Sequence, residues 1–132
     1  MEQPEAKLKK ALVEGFSIAF GKAGWFNYMT AARKMGIPDL VLAWGERQVW
    51  IEGKADTPVS ALQTIVFTRM ARAGVRIYVA RWDHGTRDLP KKLRHAWIHP
   101  WTRDGQSSSG RLFGWSSFGL TSFWDNAFGG RS

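Results

Sequence analysis

Glu52 and Lys54 stand two residues apart in the run Gln48-Val-Trp-Ile-Glu-Gly-Lys54. In an extended chain, period-2 geometry turns Trp50, Glu52 and Lys54 to one face and Val49, Ile51 and Gly53 to the other. A second acid, Asp39, opens the preceding apolar run, Asp39-Leu-Val-Leu-Ala-Trp44, directly after Pro38. If the two runs pair, two carboxylates meet at one strand end, and like charges that close stay ionised cheaply only with a cation between them. Carboxylate oxygens, waters and a main-chain carbonyl, for which Gly53 is placed, make a hard-oxygen site suited to Mg²⁺ or Mn²⁺. Beside such an ion and a phosphate, Lys54 could activate an attacking water or neutralise charge on the pentavalent phosphate. Taken alone, a Glu and a Lys on one strand face more often mark a solvated hairpin edge, and an aspartate at a strand start is more often a turn residue.

These residues need a scaffold, and the chain supplies one. Leu8, Leu12, Phe16 and Phe20 recur at helical spacing after Pro4, which predicts an amphipathic helix from Pro4 to about Phe20, stopped by Gly21. Residues 22 to 36 are less regular; Trp25-Phe26-Asn27-Tyr28 reads as a short strand, and Ala31 to Lys34 as a helical turn or a loop. The two runs around Gly45-Glu46-Arg47 predict a β-hairpin. Ser60-Ala-Leu-Gln63 has the form of a capping box opening a helix from Ala61 to Ala73, with Leu62, Val66 and Met70 as its buried stripe and Gly74 beyond its end. Val75-Arg-Ile-Tyr-Val-Ala80 alternates as a third strand, so strand, helix and strand form a parallel crossover unit. Asp88 to Trp97 reads as a further short helix capped by Asp88.

The 132 residues suffice for one compact domain with a concave site in its core. The absence of cysteine excludes disulfides, thiolate zinc and thiol nucleophiles. Nineteen Lys and Arg against eleven acids leave a formal charge of +8, which attracts polyanions, nucleic acid first among them. Arg69, Arg72, Arg76, Arg81, Arg87, Lys91, Lys92 and Arg94 face only Asp83 and Asp88 in that stretch, and are assigned to phosphate contact rather than to a merely solvated face. His84, His95 and His99 lack a metal-binding spacing and are read as surface or phosphate-contacting residues. Trp82, Trp97 and Trp101 could stack on unpaired bases, though packing is the commoner use of such rings. From Trp101 onward six Gly, seven Ser and only five charged residues mark a boundary, so residues 1–100 form the main domain and 101–132 an extension. Within it, Gly105 to Gly110 reads as a connector, whereas Leu120, Phe123, Trp124, Ala127 and Phe128 sit at helical spacing and require burial, against their own domain or a second copy. The longest uncharged run, Leu112 to Trp124, is too short to span a membrane, and the start does not read as a signal peptide; the expectation is a cytoplasmic protein.

The ordered series Glu5-x-x-Leu8, Gly36-Ile-Pro-Asp39, Trp50-Ile-Glu-Gly-Lys54, Ser60-Ala-Leu-Gln63 and Ala73-Gly-Val-Arg-Ile-Tyr-Val79 resembles a small VRR-NUC domain, of the virus-type replication and repair branch of the PD-(D/E)XK nucleases. The resemblance covers roughly residues 5 to 81 and departs most between Ala23 and Met35. It implies a restriction-endonuclease-like α/β fold, a mixed sheet flanked by helices, and Mg²⁺-dependent cleavage of DNA phosphodiesters, with Mn²⁺ able to substitute. Asp39 and Glu52, with the Gly53 carbonyl, would then bind the metal, Lys54 would be the catalytic lysine, Gln63 an active-site helix residue and Glu5 a first-helix acid facing the site. Glu5 could instead pair with Lys9 one turn on, with Glu14 as the fallback acid, and Gln63 could serve only as a cap. Small stand-alone members imply a homodimer acting on junctions or flaps, a Holliday-junction resolvase or nicking enzyme among them. The competing reading is a nucleic-acid-binding module without chemistry.

Overall fold

A computed structural model describes residues 4–30, 32–54, 57–82, 96–105, 113–114 and 117–129. Helix α1 (Pro4–Phe20) leads through a short 3-10 turn to strand β1 (Trp25–Tyr28) and a single helical turn, α2 (Ala32–Met35). A hairpin of β2 (Leu40–Trp44) and β3 (Arg47–Lys54) follows, then helix α3 (Ala61–Arg72) and strands β4 (Arg76–Trp82), β5 (Ala96–Pro100) and β6 (Phe113–Gly114), closed by helix α4 (Ser117–Phe128). The strands form one sheet in chain order, antiparallel throughout except where β3 and β4 run parallel across the α3 crossover. The result is a mixed sheet flanked by helices.

Two faces of that sheet are covered by different helices. Leu40, Leu42, Val49, Ile51, Tyr78, Ala80 and Ile98 pack under Leu8, Leu12, Phe16 and Phe20 of α1 and under Phe123, Trp124, Ala127 and Phe128 of α4. On the opposite face Ile77 and Val79 meet Phe67 of α3, with Trp50, Met70 and Trp101 packed around them. The aromatic spacing near the chain end thus resolves as self-packing. Phe123 meets the Tyr78 ring edge-on at 4.9 Å, and Trp124 does the same to Phe16 at 5.8 Å, geometries that add roughly 0.5–1.5 kcal/mol each beyond simple burial. Arg76 Nη1 donates to the carbonyls of Ala127 and Asn126, supplying from β4 the cation that the last turn of α4 lacks.

Several expectations are corrected. The hairpin loop is two residues, not three: Trp44 pairs with Arg47, and Gly45 and Glu46 both take positive φ (60° and 68°), the backbone of a type I′ turn whose twist matches the strands. The buried stripe of α3 is Gln63, Phe67 and Ala71, one residue on from the expected Leu62, Val66 and Met70; Leu62 is exposed. In this rotation Phe67 packs on Ile77 and Val79 while Gln63 reaches Glu52. His99 is buried rather than on the surface, because the β4–β5 register sets it opposite Val79 on the face that α3 covers. Of the segment expected to be helical from Asp88, Ala96 and Trp97 open β5; residues 88 to 95 lie outside the described residues, as do Asp83, His84, Arg87, Lys91, Lys92, Arg94, His95 and most of the connector from Gly105 to Gly110.

Candidate active site

The β2–β3 hairpin builds the site. Leu40 pairs with Ile51, so one step further along both strands Asp39 stands across from Glu52 on the face opposite α1. Asp39 is held by its backbone: buried Pro38 precedes it, and its carbonyl accepts from Met29 N at 2.9 Å. Across the parallel pair, Glu52 aligns with Val79 and Lys54 with Arg81, so acids and cations occupy successive rows of one sheet face. A cavity of about 900 Å³ opens here, lined by Glu5, Lys9, Asp39, Glu52, Gly53, Lys54, Ser60 and Gln63 among others. Every residue read from the sequence as catalytic or metal-binding borders this one space.

The cap and the site share a side chain. Ser60 Oγ accepts from Gln63 N, while Gln63 Oε1 accepts from Ser60 N at 3.0 Å. With its carbonyl oxygen committed to the helix start, the Gln63 amide points its nitrogen at Glu52, donating to Oε2 at 3.0 Å. The two alternative readings of Gln63 therefore describe one arrangement.

Glu52 is only 5% exposed. Burial, and secondarily the charge of Asp39, push its carboxyl from 4.5 up to about 7, against the opposing pull of Lys54 and Gln63. Lys54 Nζ lies 3.5 Å from Glu52 Oε2. Each carboxylate thus has one oxygen engaged and one bare: Glu52 Oε1 and Asp39 Oδ1 are buried with no hydrogen-bond partner. Orphaned buried carboxylate oxygens are costly, and two in one cavity fit a hard cation. Among the described residues no group of three or more His, Asp and Glu side chains could hold a metal. Two carboxylates, with a main-chain carbonyl such as that of Gly53 and water, could hold a hard divalent cation.

One residue escaped the sequence reading. Lys9 does not pair with Glu5; its Nζ donates to Asp39 Oδ2 at 2.7 Å, thirty residues away. Its place one turn after Glu5 on the same helix face was the available signal. Glu5 borders the cavity, whereas Glu14 is exposed on α1 and does not line it. Of the expected phosphate-contacting cations, Arg81 sits at the site end of the sheet, its Nη1 donating to Thr57 O at 3.1 Å. Arg76 lies five residues back along β4 and caps α4, and Arg72 donates to the Arg103 carbonyl on the late half of α3, where Arg69 is exposed. Trp101 is packed edge-on against Phe67 and donates from Nε1 to Thr68 Oγ1 at 3.2 Å, a structural use of that ring.

No protein-family model matches the chain, and no curated protein matches it. Among solved structures, the chain is similar to Archaeoglobus fulgidus Hjc, a Holliday junction resolvase from an archaeal hyperthermophile, at 22% identity and a TM-score of 0.48 over 70% of this chain and 71% of that one. Among the described residues no helix is long and apolar enough to cross a membrane.

Proposed function

We propose that this chain is a metal-dependent DNA endonuclease of the PD-(D/E)XK type, within the VRR-NUC branch that its motif series resembles. The observation that carries the reading is the pair of buried oxygens without a hydrogen-bond partner, Asp39 Oδ1 and Glu52 Oε1, on two side chains that line one cavity with Lys54. A module that only binds DNA has no use for two desolvated carboxylates that repel phosphate. Asp39, Glu52 and the Gly53 carbonyl would hold Mg²⁺, with Mn²⁺ as a substitute. When bound, such an ion neutralises charge on the scissile phosphate and acidifies water.

The chain's own groups supply the rest. Gln63 fixes Glu52, and Lys54, as an ammonium, orients the attacking water and relays its proton, giving one to the departing O3′ as it recovers one from the water. Water oxygen bonds to phosphorus as the P–O3′ bond breaks in line, leaving a 5′-phosphate and a protonated 3′-hydroxyl. Arg81, in register with Lys54, would hold the strand next to the cut. Arg69, Arg72, Arg76, Lys91, Lys92 and Arg94 complete the phosphate-contacting assignment made from sequence, the last three beyond the described residues. Residues 1–100 would carry the nuclease unit, with the extension 101–132 contributing α4 to its core. Because one site cuts one strand, paired cleavage of a junction requires two copies, and a homodimer is part of the proposal.

The test is a cleavage panel of single strands, duplex, flaps and four-way junctions in Mg²⁺ and Mn²⁺, with Asp39→Asn as control. The expected result is metal-dependent cutting of branched substrates that Asp39→Asn abolishes. Absence of cleavage of every substrate, by protein shown to bind Mn²⁺, would overturn it. A 15 kDa species alone in light scattering at high micromolar concentration would remove the dimer.

A further inference from the structure

Lys9 places an ammonium 2.7 Å from Asp39 Oδ2 inside the cavity that holds the bare oxygens. With its side chain 19% exposed, it is partly withdrawn from water, where ionic interactions strengthen. The stem passes close over Gly53: a Cβ on that residue would stand 3.2 Å from Lys9 Cγ and 3.8 Å from Cδ, so the glycine leaves room for the lysine beside β3. Asp39 does not need Lys9 for its placement, since the buried Pro38 and the bond to Met29 N already fix its backbone. What Lys9 adds is charge. Glu52 has Lys54 at 3.5 Å and Asp39 has Lys9, so each acid carries its own ammonium.

We propose that Lys9 is the resident counter-ion of the carboxylate pair: it holds the metal-free site together and, by repelling a divalent ion bound to the same carboxylate, sets how tightly that ion binds. The inference rests on the metal-site reading above and deepens it. Lys9 acts through Asp39 and is a positioning residue, not a catalytic one. By reciprocity, an ion that Lys9 weakens must in turn weaken the hold of Asp39 on Lys9.

The experiment compares the wild-type chain, Lys9→Met and Lys9→Arg by calorimetric titration with Mn²⁺, and by melting in chelator and in Mn²⁺. Lys9→Met should bind Mn²⁺ about tenfold tighter, within the usual range of coupling between sites, melt lower in chelator and gain more from the ion. Lys9→Arg, which keeps the charge, should stay close to wild type. On the wild-type protein alone, Mg²⁺ should raise amine-reactive labelling of Lys9 several-fold, read by mass spectrometry, which keeps the test intact if Lys9→Met does not fold. If wild type binds Mn²⁺ and Lys9→Met binds it no more tightly, or if labelling of Lys9 ignores the ion, the counter-ion role is overturned while the metal site stands. If no variant binds Mn²⁺, the metal site and the counter-ion role fall together.

Discussion

Gln63 donates to Glu52 Oε2 at 3.0 Å with the same amide whose oxygen closes the α3 capping box on Ser60 N. Helix initiation and carboxylate alignment are therefore one event. Gln63→Ala should lose about 1 kcal/mol of stability with the cap and about 10- to 100-fold in cleavage or metal affinity with the carboxylate support. Ser60→Ala should lose a similar stability but less activity, because Ser60 N still orients the amide. Urea melts and plasmid nicking rates separate the two; equal activity losses would contradict the orientation argument.

Two buried groups tilt stability in opposite directions with pH. Glu52, raised from 4.5 to about 7, binds a proton more readily folded than unfolded, so in chelator its contribution falls as pH rises between those values. His99 is lowered from 6.5 to about 4, by burial first and by the Arg81 charge second, so its contribution is lost as pH falls through that window. The two slopes partly cancel in the wild type. Glu52→Gln should leave stability rising with pH from about 4 to 6.5, and His99→Phe should leave it falling from about 4.5 to 7. Parallel pH profiles of melting temperature for the two variants would contradict both assignments.

Lys54 is bound to chemistry more than to affinity. Lys54→Met should nick plasmid at less than about 1% of the wild-type rate, a loss of the size that removal of one proton-transfer or charge-stabilising group produces. Its DNA affinity at fixed salt should stay within a few-fold. In both proteins affinity should drop about a thousandfold between 50 and 200 mM salt if six phosphates are neutralised. Wild-type cleavage by Lys54→Met would remove the mechanism; a flat salt response would remove the basic surface.

The α4 helix is part of the core. Phe123 is fully buried against Tyr78, and Phe123→Ala should cost about 3–5 kcal/mol, a large share of the 5–15 kcal/mol typical of small domains. Deleting the chain from residue 117 should leave no cooperative unfolding transition. A cooperative melt of the truncated chain within a few degrees of wild type would contradict this.

Glu46 takes the second left-handed position of the hairpin turn, at φ 68°. Asn occupies that region at lower cost, so Glu46→Asn should stabilise by about 0.5–1 kcal/mol without altering cleavage, as read by thermal denaturation.

Local sequence determined the elements wherever patterning and chemistry agreed. The Leu8, Leu12, Phe16, Phe20 stripe, the two runs flanking Gly45-Glu46 and the Ser60 to Gln63 box each contain their own instruction, because helical period, strand alternation and capping are short-range properties. The meeting of Asp39 and Glu52 was only conditional in the sequence, because a three-residue loop would have shifted the register by one; the two-residue turn sets Leu40 against Ile51 and so brings Asp39 beside Glu52. Tertiary structure decided what depends on distant partners. The sequence of α3 allowed the Leu62 stripe as readily as the Phe67 one, and the rotation is fixed only where Phe67 packs on Ile77 and Val79 and Gln63 meets Glu52. His99 became a core residue because β5 lies against β4 under α3, and α4 became core because the sheet left an uncovered apolar face beside α1. The ion pair between Lys9 and Asp39 was the least legible. Gly53 leaves room for the Lys9 stem beside β3, and no local pattern in α1 records that approach.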